Sequence, residues 1–305
     1  MTNTYSRRDF LRRAGIVGAS AVGFALAGDD LLGVLESAQA APPILSVASK
    51  ASPERLVEKA INGLGGIRKF VKKGAKVVIK PNLAWIRAPE TAANTNPQVL
   101  ASIIKLCKAA GAGSIVIFEH SCDNSQAAFR ESGAQEVADR LNVRIVSGSN
   151  RALYRKVEIP KGKILKYDDC AKLILEADCF INVPIAKVHG STGITASMKN
   201  LMGANWDRQA WHQSGLDQCI ADYSTAVKPD LIILDAVRVL LTRGPKGPGQ
   251  TKDVGEVVAS TDPVAVDAYA AKLLGRSPSS IGHIKAAAEH GIGVLQLDKV
   301  TIKRV

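Results

Sequence analysis

Short apolar runs alternate with amphipathic segments along most of this chain. Apolar runs of about four to eight residues bounded by Gly or Pro predict buried strands, and apolar residues at helical spacing predict helices. Strands are thus predicted at 44–48, 76–80, 114–118, 143–146, 179–183, 230–234, 256–259 and 299–303, and helices at 53–70, 98–110, 125–141, 171–177, 216–227, 264–274 and 281–290. This alternation predicts an α/β fold with a mainly parallel sheet flanked by helices.

One segment interrupts the alternation. Residues 147–169 contain the run Val157 to Leu165, and its Pro-Lys-Gly-Lys centre at 160–163 predicts a small β-hairpin. We therefore expect residues 41–305 to form a single α/β domain with a hairpin insertion at about 147–169.

The first 40 residues predict an export signal rather than part of that fold. Arg7 and Arg8 form a twin-arginine sequence, a weakly hydrophobic stretch follows at 14–27, and Ala38-Gln39-Ala40 is a small-residue cleavage site. This arrangement closely resembles a twin-arginine (Tat) signal peptide. It predicts a mature chain that begins near Ala41, the Tat translocase as a partner during export, and a periplasmic or secreted location.

Composition and charge narrow the classes of partner. The chain is 46% hydrophobic with a net charge of +12, and no apolar run reaches the ~20 residues of a membrane span, so we expect no stable membrane span. A basic balance is typical of proteins that meet nucleic acid, anionic lipid or small anions. An exported protein is not expected to bind nucleic acid, and the lysines are spread along the chain rather than clustered. A small anionic ligand is the expected partner.

The five cysteines bear on cofactors. They include no Cys-x-x-Cys pair and no zinc or ferredoxin spacing, so an iron–sulfur cluster is not favoured, while a divalent metal remains open. Cys107 and Cys179 lie in apolar patterns and are predicted to be buried thiols. Cys122 follows Glu119 by three residues and could join a histidine as a ligand or nucleophile.

Polar residues follow five of the predicted strands. They are Lys80 with Asn82, Glu119, the segment 184–189, Asp235 and Asp262. In open α/β sheets ligands bind outside the carboxyl ends of the strands, because helix N-termini and short loops meet there. Parallel strands would bring these residues to one edge. Each also has a structural interpretation; Asp262 before Pro263, for example, is typical of a helix N-cap.

The densest polar group lies between residues 184 and 203. Lys187 and His189 fall in a predicted turn, and Thr195, Lys199 and Asn200 follow at the start of a helix. The lysines could bind phosphate or carboxylate, and the histidine could act as a general acid or base. Alternatively, the histidine only hydrogen-bonds a backbone carbonyl at the turn. The absence of Walker and G-x-G-x-x-G motifs leaves nucleotide binding by the standard loops unsupported.

The segment 243–249, Arg-Gly-Pro-Lys-Gly-Pro-Gly, predicts a mobile loop. Its glycines permit large backbone changes, and its two cations, Arg243 and Lys246, could close over an anion as an active-site lid does.

Several motifs together resemble the domain of unknown function 362 family. They are Val78-Ile79-Lys80-Pro81-Asn82-Leu83, Ile181-Asn182-Val183-Pro184 with Lys187 and His189, Lys199-Asn200-Leu201-Met202-Gly203, Gly244-Pro245, and Ser260-Thr261-Asp262-Pro263 through Asp267. The resemblance runs from about Lys76 to Ala270 and implies a shared site without implying a particular reaction. Many members of that family carry a fused ferredoxin module, whose cysteine spacing does not occur in this sequence.

These observations lead to one hypothesis with two alternatives. We expect an exported enzyme acting on a small anionic substrate, with Lys80, Lys187, Lys199 and His189 facing one cavity. The predicted catalytic residues are His189 and Lys187, the predicted ligand-binding residues are Lys80, Asn82, Lys199, Asn200, Thr195 and Arg243, and the candidate ligands of a divalent metal are Asp235, Asp262 and Glu119. The alternatives are a non-catalytic accessory protein that binds a metal, an iron–sulfur cluster or another cofactor, and a protein that contacts partners through its basic surface.

Overall fold

The computed structural model describes residues 41–305, so the predicted signal peptide lies outside the described residues. The strands are β1 (Ile44–Ser49), β2 (Lys76–Pro81), β3 (Ser114–Glu119), β4 (Arg144–Ser147), β5 (Tyr154–Glu158), β6 (Tyr167–Ala171), β7 (Cys179–Val183), β8 (Ile185–His189), β9 (Gly193–Thr195), β10 (Leu231–Leu240), β11 (Thr251–Ser260) and β12 (Thr301–Arg304). The helices are α1 (Pro53–Gly63), α2 (Pro97–Ala109), α3 (Ser125–Glu131), α4 (Ala134–Arg140), α5 (Lys172–Leu175), α6 (Ser197–Asn200), α7 (Gln209–Ser214), α8 (Leu216–Ala226), α9 (Pro263–Leu273) and α10 (Gly282–Glu289).

A single large sheet organises these elements. Its strand order is β12-β1-β11-β10-β7-β2-β3-β4, and the five strands from β10 to β4 are parallel to one another. β11 is antiparallel to both of its neighbours, β10 and β1. The prediction of a mainly parallel sheet flanked by helices is therefore confirmed.

Apolar side chains cover both faces of the sheet. Val77 and Ile79 of β2 belong to one buried cluster, together with residues of α1, α2 and α4, whereas Val78 belongs to the other, with residues of α8, α9 and α10. Successive residues of a strand point to opposite faces, so a sheet buried on both sides needs continuous apolar runs. This explains why the central strands could be recognised in the sequence.

Several elements differ from the prediction. The helix expected at 53–70 ends at Gly63, and the strand expected at 256–259 begins already at Thr251. The helix expected at 125–141 is two helices, α3 and α4, because Gly133 between them takes a positive φ of 75° that ends helical geometry. The strand expected at 230–234 continues to Leu240, so Asp235 lies within β10 and does not end it. The polar turn expected after Pro184 is a strand, β8, which runs parallel to the second half of β10 and pairs with β9.

The hairpin expected within 147–169 is a two-stranded antiparallel sheet formed by β5 and β6. Its strands lie further from the turn than the sequence indicated, since residues 159–166 connect them. In the described part of the chain, no helix has the length and apolar character needed to cross a membrane.

Candidate functional site

A cavity of about 270 Å³ lies where β2 and β3 end. The hairpin of β8 and β9 and the helix α6 form its other walls. The residues that line it are Lys80, Asn82, Ala84, Trp85, Glu119, Cys122, Lys187, His189, Thr195, Lys199, Asn200, Met202, Gly203, Arg208, His212 and Pro245. The structure thus brings together eight of the eleven residues singled out from the sequence.

Lys80 and Glu119 form a buried ion pair at the floor of the cavity. Both carboxylate oxygens lie 3.0 Å from Lys80 Nζ, and neither side chain is more than 2% exposed. The carboxylate also accepts hydrogen bonds from the backbone N–H groups of Leu83 and His120. Gly203 packs so closely that a Cβ there would lie 1.9 Å from Glu119 Oε1. The pair is therefore part of the structural frame of the cavity.

Lys187 is as buried as Lys80, at 1% exposure, but its partners are neutral. Its ammonium donates to Asn82 Oδ1 at 3.0 Å and to the carbonyl oxygen of Ala93. Burial lowers the pKa of Lys187 from 10.5 to about 7, and the charges of Lys199 and Lys80 act in the same direction. Near neutral pH this side chain divides between the ammonium and the neutral amine.

Side-chain amides connect Lys187 to the frame. Asn82 Nδ2 donates to Asn200 Oδ1 at 2.9 Å, and Asn200 Nδ2 donates to Asn182 Oδ1 at 2.8 Å. Asn182 in turn donates to the carbonyl oxygen and hydroxyl of Ser197, at the start of α6. These amides hold α6, which carries Lys199, against the ends of β2 and β7.

The N-terminus of α6 does not face the cavity as an anion site. The carboxylate of Asp267, from α9, accepts the N–H groups of Ser197 and Met198 and so caps the helix. His283 contacts this carboxylate at 3.5 Å and Asp217 at 3.3 Å, and these carboxylates raise its pKa against the opposing effect of burial. The cationic wall is therefore supplied by side chains rather than by a helix dipole.

Three polar groups that belong to cavity-lining residues have no hydrogen-bond partner within residues 41–305. They are Lys199 Nζ, the hydroxyl of Thr195 and the indole Nε1 of Trp85. Thr195 is 3% exposed and pairs directly with Lys187 across β8 and β9, so the two side chains share one face of that hairpin. Burial lowers the pKa of Lys199 to about 8. Each of these groups can donate a hydrogen bond to a ligand.

His189 lies two residues after Lys187 on β8 and therefore on the same face of the strand. Its Nδ1 accepts a hydrogen bond from the backbone N–H of Ser191 at 3.1 Å, so in the neutral ring the proton is on Nε2. Burial lowers the pKa of His189 to about 3, and the charges of Lys199 and Lys187 add to this. The ring is neutral at physiological pH and presents an N–H donor.

The cavity also includes residues that the sequence did not single out as ligand-binding. Arg208 donates to the carbonyl oxygens of His120 and Ser121 and holds the turn after β3, while His212 is exposed and lies at the rim. Cys122, considered a ligand or nucleophile, is exposed and also lines the cavity. Arg208 and His212 reach the cavity from an irregular segment and a short helix, and no pattern in a single sequence marks such positions.

Three predicted site residues lie outside the cavity lining. Asp235 is fully buried and accepts the N–H groups of Asn96 and Val237, and burial raises its pKa to about 6. Asp262 is the N-cap of α9 and also accepts from Val294 N–H. Arg243 lies in the 243–249 loop with a φ of 53°, and only Pro245 of that loop lines the cavity.

The candidate metal ligands are accordingly dispersed. Glu119 is paired with Lys80, while Asp235 and Asp262 bind backbone N–H groups elsewhere. Within residues 41–305, no group of three or more His, Cys, Asp or Glu side chains is arranged to hold a metal ion. A bound divalent metal remains a prediction.

The loop at 243–249 is held against the cavity rim. Lys246 Nζ lies 3.0 Å from Asp123 Oδ1 and 5.3 Å from the centre of the Trp85 ring. Arg87 donates to the carbonyl oxygens of Lys246 and Gly247. These contacts are on the side of the cavity formed by the segment after β2.

Residues 77–272 match the family described as "Domain of unknown function (DUF362)", which is more than half of the sequence. The chain belongs to the DUF362 family. All sixteen cavity-lining residues fall within the matched DUF362 region, whereas β1, α10 and β12 lie outside it.

Relatives of this DUF362 chain include a thylakoid-associated protein from Synechocystis sp., which is 27% identical over 243 residues, 75% of this chain and 72% of that protein. Two similar solved structures are a protein from Thermotoga maritima (TM-score 0.46, 11% identity) and the lactate racemase apoprotein from Thermoanaerobacterium thermosaccharolyticum (TM-score 0.45, 16% identity). Each alignment covers 74% of this chain but only 60% and 56%, respectively, of those two proteins.

Proposed function

We propose that this chain is an enzyme that binds a small anionic substrate in the cavity. One observation carries the proposal: four basic side chains line the cavity, and the single carboxylate among them, that of Glu119, is already paired with Lys80. Lys187 and Lys199 have no carboxylate within ion-pair distance among residues 41–305. An entering carboxylate or phosphate would supply the missing charge and stabilise the folded state.

The unpartnered donors support the same ligand class. Lys199 Nζ, Thr195 Oγ1 and Trp85 Nε1 can all donate to the oxygens of a carboxylate or phosphate. Buried donors without partners cost free energy, and they are uncommon in native proteins. Two such donors beside an unpaired ammonium favour a ligand that accepts hydrogen bonds from all three.

Lys187 and His189 favour catalysis over simple binding. A lysine with a pKa near 7 can exchange a proton with a substrate at neutral pH, whereas a site that only bound anions would gain more from a fully charged lysine. The neutral ring of His189 offers its Nε2 hydrogen to a substrate oxygen. We assign proton transfer to Lys187 and stabilisation of a developing oxyanion to His189.

The proposal is tested by thermal unfolding in phosphate, sulfate and small carboxylates, with chloride at matched ionic strength as reference. A ligand at about 100 times its Kd adds about 2.7 kcal/mol of stability, which corresponds to several degrees in Tm. At least one anion should produce this gain in the wild type, and Lys199→Met should abolish it. The control Lys59→Met, at an exposed position of α1, should retain it. Equal Tm values in all of these salts would contradict the proposal.

We further propose that the protein is exported by the Tat pathway, on the strength of the Arg7-Arg8 sequence. Arg7→Lys combined with Arg8→Lys should retain the precursor in the cytoplasm, as judged by fractionation and immunoblotting. Undiminished mature protein in the periplasm would exclude a twin-arginine signal.

A further inference from the structure

The two buried lysines of the cavity differ in what their Nζ atoms contact. Lys80 Nζ has the Glu119 carboxylate, the Pro81 carbonyl oxygen and Asn200 Oδ1 around it, so all three N–H groups of an ammonium find acceptors. Lys187 Nζ has two acceptors, Asn82 Oδ1 and the Ala93 carbonyl oxygen.

An ammonium carries three N–H groups, whereas a neutral amine carries two N–H groups and one lone pair. The surroundings of Lys187 therefore match the neutral amine, because two acceptors satisfy both of its N–H groups. The third tetrahedral position has no partner among residues 41–305, and Lys187 lines the cavity. Lowering of its pKa to about 7 by burial agrees with this match.

We propose that Lys187 forms an imine with a small anionic carbonyl compound, such as a 2-oxo acid or an aldehyde that bears a carboxylate or phosphate. This rests on the proposed function, which requires an anion in the cavity, and goes beyond it by naming the substrate class and a covalent step. A desolvated lysine without a counter-charge is an activated nucleophile of the kind that carbonyl chemistry uses.

The step balances without an added oxidant or reductant. The Nζ lone pair of the neutral amine adds to the carbonyl carbon, and one amine hydrogen passes to the carbonyl oxygen to give a carbinolamine. The carbon–oxygen bond then breaks, and the second amine hydrogen leaves with the oxygen as water. A C=N bond joins Lys187 to the former carbonyl carbon.

Other groups of the cavity fit the rest of such a molecule. His189 shares the face of β8 with Lys187, so its Nε2–H can donate to the carbonyl oxygen while that oxygen becomes negative. Lys199 and Thr195 are available to the anionic end. The cavity volume of about 270 Å³ suits a compound of a few carbon atoms better than a nucleotide.

The test traps the imine with glyoxylate, a small anionic aldehyde, and sodium cyanoborohydride, followed by peptide mass spectrometry. The intact wild-type protein at limiting glyoxylate should gain one carboxymethyl group at Lys187 before any other lysine. Lys80, whose Nζ contacts the Glu119 carboxylate and two further acceptors, is the internal control in the same cavity and should stay unlabelled. Propanal, a neutral aldehyde, should label Lys187 more slowly. Lys199→Met should slow labelling by glyoxylate at least tenfold, whereas Lys59→Met should leave the rate unchanged.

Thermal unfolding in glyoxylate without reductant separates the two proposals. A gain in Tm without labelling of Lys187 would overturn the imine and leave anion binding intact. No gain and no labelling would count against both. Two labelling patterns would also overturn the inference: labelling of Lys187 at the rate of exposed lysines, and labelling of Lys80 at the same rate as Lys187. Either pattern would show that Lys187 is not more reactive towards the aldehyde than other lysines.

Discussion

Replacing Lys187 with methionine provides a direct measure of its titration in the folded protein. Methionine keeps an unbranched stem of similar length but cannot bind a proton. In the folded wild type the pKa of Lys187 is about 7, against an ordinary value of 10.5. Between these values the unfolded chain binds more protons than the folded chain. The stability of the wild type relative to Lys187→Met should therefore rise as the pH increases from 7 towards 10.5.

The size of the effect follows from the pKa difference. Each pH unit within the window contributes about 1.4 kcal/mol, so the wild type should gain about 2–3 kcal/mol relative to the variant between pH 7 and pH 9. The substitution also leaves Asn82 Oδ1 and the Ala93 carbonyl oxygen without a donor, at a cost of about 1–3 kcal/mol each. That cost is nearly independent of pH. The slope of the difference, rather than its sign at one pH, is the quantity to measure.

Urea unfolding followed by tryptophan fluorescence gives the free energy of unfolding at pH 6, 7, 8 and 9 for both proteins. Lys59→Met, at an exposed position of α1, serves as the control for replacing a lysine by methionine. A constant difference between wild type and Lys187→Met from pH 7 to pH 9 would refute the lowered pKa. It would also remove the chemical basis for assigning proton transfer or imine formation to this residue.

Three further substitutions test the frame of the cavity. Gly203→Ala would place a Cβ 1.9 Å from Glu119 Oε1 and should lower the free energy of unfolding by about 3 kcal/mol in urea titration, whereas Gly190→Ala, with no atom within 4 Å of the new Cβ, should change it little. Glu119→Gln leaves the Lys80 ammonium buried without its counter-charge and should cost about 3–5 kcal/mol by the same assay; a loss below about 1 kcal/mol would mean that the pair is not a buried ion pair. Lys246→Ala removes the contacts to the cavity rim and should increase cleavage of its loop in limited proteolysis; cleavage rates equal to wild type would show that other contacts hold the loop.

The sheet was predictable because its strands are buried on both faces. A continuous apolar run such as 115–118 predicts a strand buried on both faces, and its residues belong to both clusters of the core: Ile115 and Ile117 to one, and Phe118 to the other. The strand β8 was not predicted, because its sequence is not a continuous apolar run. Lys187 and His189 occupy one face of it, and polar residues in a short segment after a proline are typical of a turn. Lys187 and His189 lie on a cavity wall rather than in solvent because of the tertiary structure, which the local sequence does not indicate.

The predicted parallel sheet indicated that the candidate site would lie at the strand ends. It did not indicate which groups each polar residue would contact. Asp235 was expected at a strand end, yet β10 continues past it because β8 and β11 pair with its second half. His283 is fully buried between Asp217 and Asp267, which lie 66 and 16 residues away in sequence. Such contacts carry no local signal.

The buried carboxylate of Asp235 has a consequence for how variants of this protein are interpreted in genetic screens. It holds the N–H of Asn96, three residues after Ala93, whose carbonyl oxygen accepts from Lys187. A substitution at Asp235 would shift that segment and alter the lysine without touching any ligand. Under the proposed function, a selection for lost activity should therefore recover Asp235 alongside Lys187 itself, and a frequency map of inactivating alleles would extend beyond the residues assigned to substrate binding.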